Sequence, residues 1–208
     1  DETAGAEEIG FDKASAWNCS SVLWENLSRN PEKIAVTGPL GTLTYRELIA
    51  EAARWGNAFA GLGLKRGERI AFFLDDTPVY PAAFFGAVRA GFVPVLLNIQ
   101  TPPDVLSFFL SDTGARVVLC EADLASLFDT QTLSGTLLET VVIANGEGGV
   151  DDGHVSVETF LAGHLTELKC ADTNPDDMAF WMYSSGSTGR PKGIVHLHHE
   201  FVIFSIIF

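Results

Sequence analysis

MAFWMYSSGSTGRPKG, residues Met178 to Gly193, joins an apolar run directly to a polar turn. The six apolar residues Met178 to Tyr183 fit a short buried strand. The ten that follow, Ser184 to Gly193, hold three glycines, four hydroxyls and two cations, with no acid. Glycine lets a backbone turn sharply and approach a ligand closely. Successive N–H groups in such a turn can form an anion-binding nest, hydroxyls add donors, and Lys192 adds a mobile point charge. A strand that opens into this turn suits a polyphosphate; a solvated surface loop is the plainer alternative.

Two better-known phosphate motifs are excluded. A Walker A loop needs G-x-x-x-x-G-K-[ST], but Gly186 and Gly189 are too close, and Lys192 precedes Gly193. A dinucleotide fingerprint G-x-G-x-x-G is approached only at Gly61-Leu62-Gly63, where position 66 is Arg and a helical pattern precedes. No G-x-S-x-G elbow or Ser-His-Asp constellation occurs.

The rest of the chain reads as a scaffold for that turn. With 208 residues, 47% of them apolar, a sizeable core is expected. A net charge of −14 opposes nucleic acid and anionic lipid, so polyphosphate binding must come from a local site. Cys19, Cys120 and Cys170 are odd in number and widely spaced, which argues for a reducing, cytoplasmic compartment and against a disulfide framework or zinc site. The acidic start does not resemble a signal peptide. No apolar run approaches the roughly 20 residues of a membrane span.

Residues 1–16 read as a flexible arm. A helix is expected over Ser20–Asn30 with Val22, Leu23, Trp24 and Leu27 inward, then a hairpin from Lys33–Thr37 and Thr42–Tyr45. Thr44 and Glu47 have capping-box spacing. Leu48, Ala52, Trp55, Phe59 and Leu62 make one apolar stripe. Ile70–Leu74 is a strand buried on both faces. Pro81–Ala90 is a helix with small residues for close packing, and Val93–Leu97 is the next strand. Further elements are expected as a helix from Thr101 to Thr113, a strand at 116–120, a short helix at 123–128, a strand at 141–144, a surface loop at 146–153 and a short helix at 157–164. Such alternation predicts an α/β fold, a layered and mainly parallel sheet flanked by helices.

Other candidate chemistry is weaker. His196, His198 and His199 follow the turn, but no Cys, Asp or third His shares the strand face of His196 and His198, which disfavours a metal site. Asp75 and Asp76 lie at the carboxyl end of a buried strand, where α/β sites gather; adjacent carboxylates point different ways, and N-capping is the expected role.

Tyr183 to Gly193 resembles, throughout, the phosphate loop of the adenylate-forming enzymes: acyl-CoA synthetases, peptide-synthetase adenylation domains and luciferases. Leu43-Thr44-Tyr45-Arg46-Glu47-Leu48 resembles that superfamily's first core motif, and Ala87 to Asn98 its second, with Arg89 where Lys is preferred. Residues 17–208 thus look like the N-terminal portion of the large adenylation domain, stopping after the phosphate loop at 184–193. Tyr80 to Ala87 and Gly193 to His199 look most like benzoate-CoA and 4-hydroxybenzoate-CoA ligases. The resemblance implies that an aromatic carboxylate reacts with ATP to give acyl-AMP and pyrophosphate, and that coenzyme A then displaces AMP. It implies that Ser184, Ser185, Gly186, Ser187, Thr188, Gly189 and Lys192 hold the β- and γ-phosphates beside Mg²⁺, with Thr188 the leading hydroxyl. It places His198 in the bend after the loop.

The family's adenine and ribose motifs, hinge and C-terminal domain have no counterpart in these residues. No catalytic residue is therefore assigned, the 208 residues alone are expected to be inactive, and Ser184–Arg190 is expected to be mobile or oddly placed. The apolar tail Phe201–Phe208 departs from the family's amphipathic helix. A homo-oligomer is compatible with the sequence. Two alternatives stand beside the ligase: an adenylation domain loading a carrier protein, separable by the acceptor it uses, and a non-catalytic nucleotide-binding module, which would bind ATP without releasing pyrophosphate.

Overall fold

Ile70, Phe72 and Leu74 point to one side of their strand and Ala71 and Phe73 to the other, and all five are buried. A strand wetted on neither face must be central, and it is. In a computed structural model, which describes residues 16–128, 134–145, 154–184 and 191–201, this strand anchors a seven-stranded sheet.

The chain enters through two one-turn helices, α1 (Ser21–Trp24) and α2 (Asn26–Arg29), rather than one continuous helix. Leu23 is buried there, whereas Val22 and Leu27 are exposed, against expectation. Helices this short turn only one residue inward before the chain changes direction. An antiparallel hairpin of β1 (Ile34–Gly38) and β2 (Gly41–Thr44) stands as a separate two-stranded sheet. Helix α3 (Tyr45–Gly61) begins on the expected capping box: Glu47 N–H donates to Thr44 Oγ1 at 3.3 Å, and Thr44 N–H donates to Glu47 Oε2 at 2.8 Å. Its stripe Leu48, Ala52, Trp55 and Phe59 is buried.

Then come β3 (Arg69–Phe73), α4 (Val79–Arg89), β4 (Val93–Leu96), α5 (Pro103–Thr113), β5 (Val117–Cys120), a 3₁₀ helix (Ala122–Phe128), β6 (Thr140–Ile143), β7 (His154–Ser156), α6 (Val157–Leu161), β8 (Met178–Ser184) and β9 (Lys192–Leu197). The large sheet runs β7-β6-β5-β3-β4-β8-β9. Every pair is parallel except β8 with β9. The strand β7, just after residues 146–153, was not anticipated from the sequence.

Passing from β3 to β4 moves one way across the sheet, and from β4 to β5 the other. Crossovers of one hand then put α4 and α5 on opposite faces. Two apolar layers result. Ile70, Phe72, Val117, Leu119 and Val142 pack with α3, α4 and α6. Ala71, Phe73, Val95, Val118 and Ile143 pack with α5 and the 3₁₀ helix. Where α3 crosses α4, Gly56 and Gly86 let the backbones meet: a Cβ on Gly56 would lie 2.6 Å from the Gly86 carbonyl oxygen. The small residues of α4 serve this approach.

Strand β8 is the main departure. Only Ala179 is fully buried, and Met182 is 44% exposed. The strand lies next to the sheet edge. It meets β4 only through Val95–Trp181 and Leu96–Met182, and its outer neighbour β9 is itself exposed at Ile194 and Val195. Among the described residues, no helix is long and apolar enough to cross a membrane.

Candidate functional site

The β8–β9 hairpin carries the turn. Tyr183 is paired with Gly193 and Ser184 with Lys192, so residues 185–191 connect the two strands. Ser184 and Lys192 form the last rung. Because β8 is parallel to β4, this rung lies at the carboxyl edge of the sheet, beside the segment that leaves β4. Carboxyl edges of parallel strands are where open α/β sheets place ligands. Ser185, Gly186, Ser187, Thr188 and Gly189, with Arg190, lie outside the described residues, and so does the expectation of their mobility.

A cavity of about 280 Å³ opens at the same edge. Asn98, Gln100 and Thr101 face it from the β4 end, and Tyr183, Ser184 and Pro191 from the hairpin. Among the described residues that line it, none is acidic. Asn98 shapes its own turn, its side-chain oxygen accepting from Gln100 N–H at 2.8 Å. Lys192 is exposed.

The stem is tied to α5. The Tyr183 ring packs on Phe109 at 4.3 Å between centroids, and its hydroxyl donates to Asp112 at 2.5 Å. Burial, and secondly the Asp112 carboxylate, push the Tyr183 phenol well above its ordinary pKa. The proton therefore stays on oxygen. The sequence predicts the helix that carries Phe109 and Asp112 but gives no reason to pair Asp112 with a residue 71 positions away.

Further along the carboxyl edge, Glu121 follows β5 and is buried. Its carboxylate accepts from Asp75 N–H at 2.9 Å and from the Asn145 side-chain amide at 2.8 and 3.0 Å. One buried acid thereby joins the ends of β3, β5 and β6. The signal for Glu121 in the sequence is an acid directly after the apolar strand Val117–Cys120. Asp75 and Asp76 do not cap α4, as was expected of them. The cap position is Pro78, with no side-chain hydrogen bond, because the turn holding both acids ends before the helix starts. Asp75 Oδ1 instead accepts from Asp76 N–H at 3.3 Å.

The three histidines diverge. His196 stacks on Phe180 at 4.5 Å and meets Glu200 at 2.7 Å. His199 Nδ1 lies 3.0 Å from Asp176. His198 lies in the turn after β9 and is buried. Its Nδ1 accepts from Cys19 N–H at 3.2 Å and lies 3.2 Å from Cys19 Sγ. The neutral ring therefore carries its proton on Nε2. Desolvation lowers the His198 pKa from 6.5 to about 4, and it pushes the Cys19 thiol up to about 12. Both are uncharged at neutral pH, so the pair fastens the N-terminal segment to the hairpin. Among the described residues, no group of three or more His, Cys, Asp or Glu could hold a metal ion.

Residues 23–207 match the family model described as AMP-binding enzyme. The chain belongs to the AMP-binding enzyme family. This AMP-binding chain is 35% identical over 163 residues to a 3-hydroxybenzoate--CoA/4-hydroxybenzoate--CoA ligase of Thauera aromatica, covering 78% of the chain and 31% of that protein. It is 36% identical over 166 residues to a 3-hydroxybenzoate--CoA ligase of Aromatoleum sp. (strain CIB), covering 79% and 31%. The chain thus spans less than a third of the length of these curated relatives. Among solved structures, the anthranilate CoA ligase AuaEII in complex with anthranoyl-AMP superposes with a TM-score of 0.88 at 29% identity, over 93% of this chain and 37% of that one. The layered, mainly parallel sheet is the N-terminal region of that fold.

Proposed function

We propose that this chain is the N-terminal portion of an ATP-dependent, AMP-forming carboxylate-CoA ligase acting on an aromatic acid such as benzoate or a hydroxybenzoate. The observation that carries the reading is the rung Ser184–Lys192 at the carboxyl edge of the sheet, closing a Tyr183–Gly193 segment of phosphate-loop sequence beside a cavity with no acid among the described residues that line it. The aromatic preference is supported by the names of the two relatives above and by the anthranoyl-AMP of the structural neighbour.

In this reading, an oxygen of the substrate carboxylate bonds to the α-phosphorus of ATP while the bond to the pyrophosphate oxygen breaks. Catalysis of this kind asks the protein for position and charge neutralisation. Lys192 supplies the cation, and Ser184, Ser185, Ser187 and Thr188 supply hydroxyl donors to the β- and γ-phosphates. Gly186 and Gly189 let backbone N–H groups approach them. The donor set of hydroxyls without acids fits a Mg²⁺ ion carried mainly by phosphate oxygens, which would add charge neutralisation there. Coenzyme A then takes the acyl group and AMP leaves. Without the remaining two thirds of the ligase, the 208 residues bind ATP weakly and do not turn over.

The test is exchange of labelled pyrophosphate into ATP by the full-length parent, supplied with benzoate and the hydroxybenzoates. Exchange with these acids is expected, and acyl-CoA should form when coenzyme A is added. Absence of exchange with every aryl and acyl acid would overturn the proposal. Transfer to a phosphopantetheinyl carrier protein in place of coenzyme A would reassign it to carrier loading.

A further inference from the structure

The Tyr183–Asp112 hydrogen bond is not explained by the core. Packing accounts for the ring, which lies on Phe109. It does not account for the hydroxyl: Asp112 is exposed, and water could satisfy both groups at little loss in stability. The bond does constrain the hairpin. The Tyr183 ring also lies beside Gly193 of the opposing strand, where a Cβ would sit 3.5 Å from the nearest ring atom. The side chain is therefore held at three points: its ring by Phe109 and by the opposing strand at Gly193, and its hydroxyl by Asp112. The next rung, Ser184–Lys192, is the last before the turn. A strand end with a fixed side chain cannot twist freely, and the twist of the last rung decides where the hydroxyl and the ammonium group point. Asp112 itself does not line the cavity, and its negative charge beside a polyphosphate is tempered by the O–H it accepts.

We infer that Asp112, acting through Tyr183, is a positioning residue for the last rung of the hairpin: helix α5 holds the stem so that Ser184 and Lys192 face the β- and γ-phosphates of ATP. The inference rests on the ligase reading above. It gives α5 a role beyond covering the sheet.

The test uses the full-length parent with Tyr183→Phe, which keeps the ring, together with Asp112→Ala, Asp112→Asn and the double variant Asp112→Ala/Tyr183→Phe. Pyrophosphate exchange is measured against ATP and, separately, against the carboxylic acid, with a thermal melt of each variant. Loss of one such hydrogen bond should raise KM for ATP about 3- to 10-fold, with KM for the acid unchanged and the melting midpoint moved little. The double variant should be no worse than either single one, since both remove the same bond. Asp112→Asn, which keeps an acceptor, should recover most of the loss. KM for ATP within twofold of wild type in both single variants would overturn the inference, as would a double variant equal to the product of the singles. Equal increases in KM for ATP and for the acid would assign the bond to general stability and overturn it too. Absence of exchange in the wild-type parent defeats the functional reading itself and this inference with it; normal exchange with unmoved KM values removes only the inference.

Discussion

Acid should loosen this fold at a definable place, the buried His198. Its Nδ1 is occupied as an acceptor by the Cys19 N–H, and burial lowers its pKa from 6.5 to about 4. The unfolded chain binds this proton at a higher pH than the folded chain does. Above about pH 6.5 neither form is protonated and the group costs nothing. Between about pH 6.5 and 4 the unfolded state gains a proton that the folded state refuses, so stability falls as pH falls. Below about 4 the loss is complete. The separation of the two values corresponds to about 3 kcal/mol, an appreciable part of the stability of a domain. Acid acts on the rest of the protein as well, so the comparison must be with a variant. His198→Asn keeps an acceptor near the Nδ1 position and cannot take up the proton. Urea unfolding of both proteins at half-unit steps from pH 7.5 to 4 should give curves that converge toward acid, the wild type losing up to about 3 kcal/mol more. Parallel curves would refute the assignment, and so would a wild type that loses less than the variant.

The close approach of α3 and α4 predicts that Gly86→Ala, whose new Cβ would collide with the Ala52 carbonyl oxygen, destabilises by about 1–3 kcal/mol or more; an unchanged unfolding midpoint would show that the helices can separate cheaply. Thr44→Ala removes the α3 cap and should cost about 1 kcal/mol, read as a drop of about 2–4 °C in Tm. In the full-length parent, Lys192→Ala or Thr188→Ala should lower pyrophosphate exchange about 10- to 1,000-fold while leaving the thermal melt in place, and exchange that survives both changes would remove the loop from the chemistry.

What the sequence determined by itself was local. The stripe Leu48, Ala52, Trp55 and Phe59, the box Thr44–Glu47 and the apolar run Ile70–Leu74 were legible because helix and strand periods repeat within a few residues. The resemblance of Tyr183–Gly193 to a phosphate loop was legible because such a motif is written in consecutive positions, and the family match over residues 23–207 agrees with the superfamily resemblance. The partial exposure of β8 is not legible in the sequence, because an apolar run does not say whether its strand is central or next to an edge. Order in the sheet, β7-β6-β5-β3-β4-β8-β9, follows from the direction of each crossover. The same is true of the pairings that surround the turn. Tyr183 and Asp112 are 71 residues apart, Asp75 and Glu121 are 46 apart, and Cys19 and His198 are 179 apart. No period reaches across such distances. Only the packing of α5 against β8, the alignment of strand ends along one edge, and the return of the hairpin onto the N-terminal segment bring these groups within hydrogen-bond range, and those are properties of the tertiary structure.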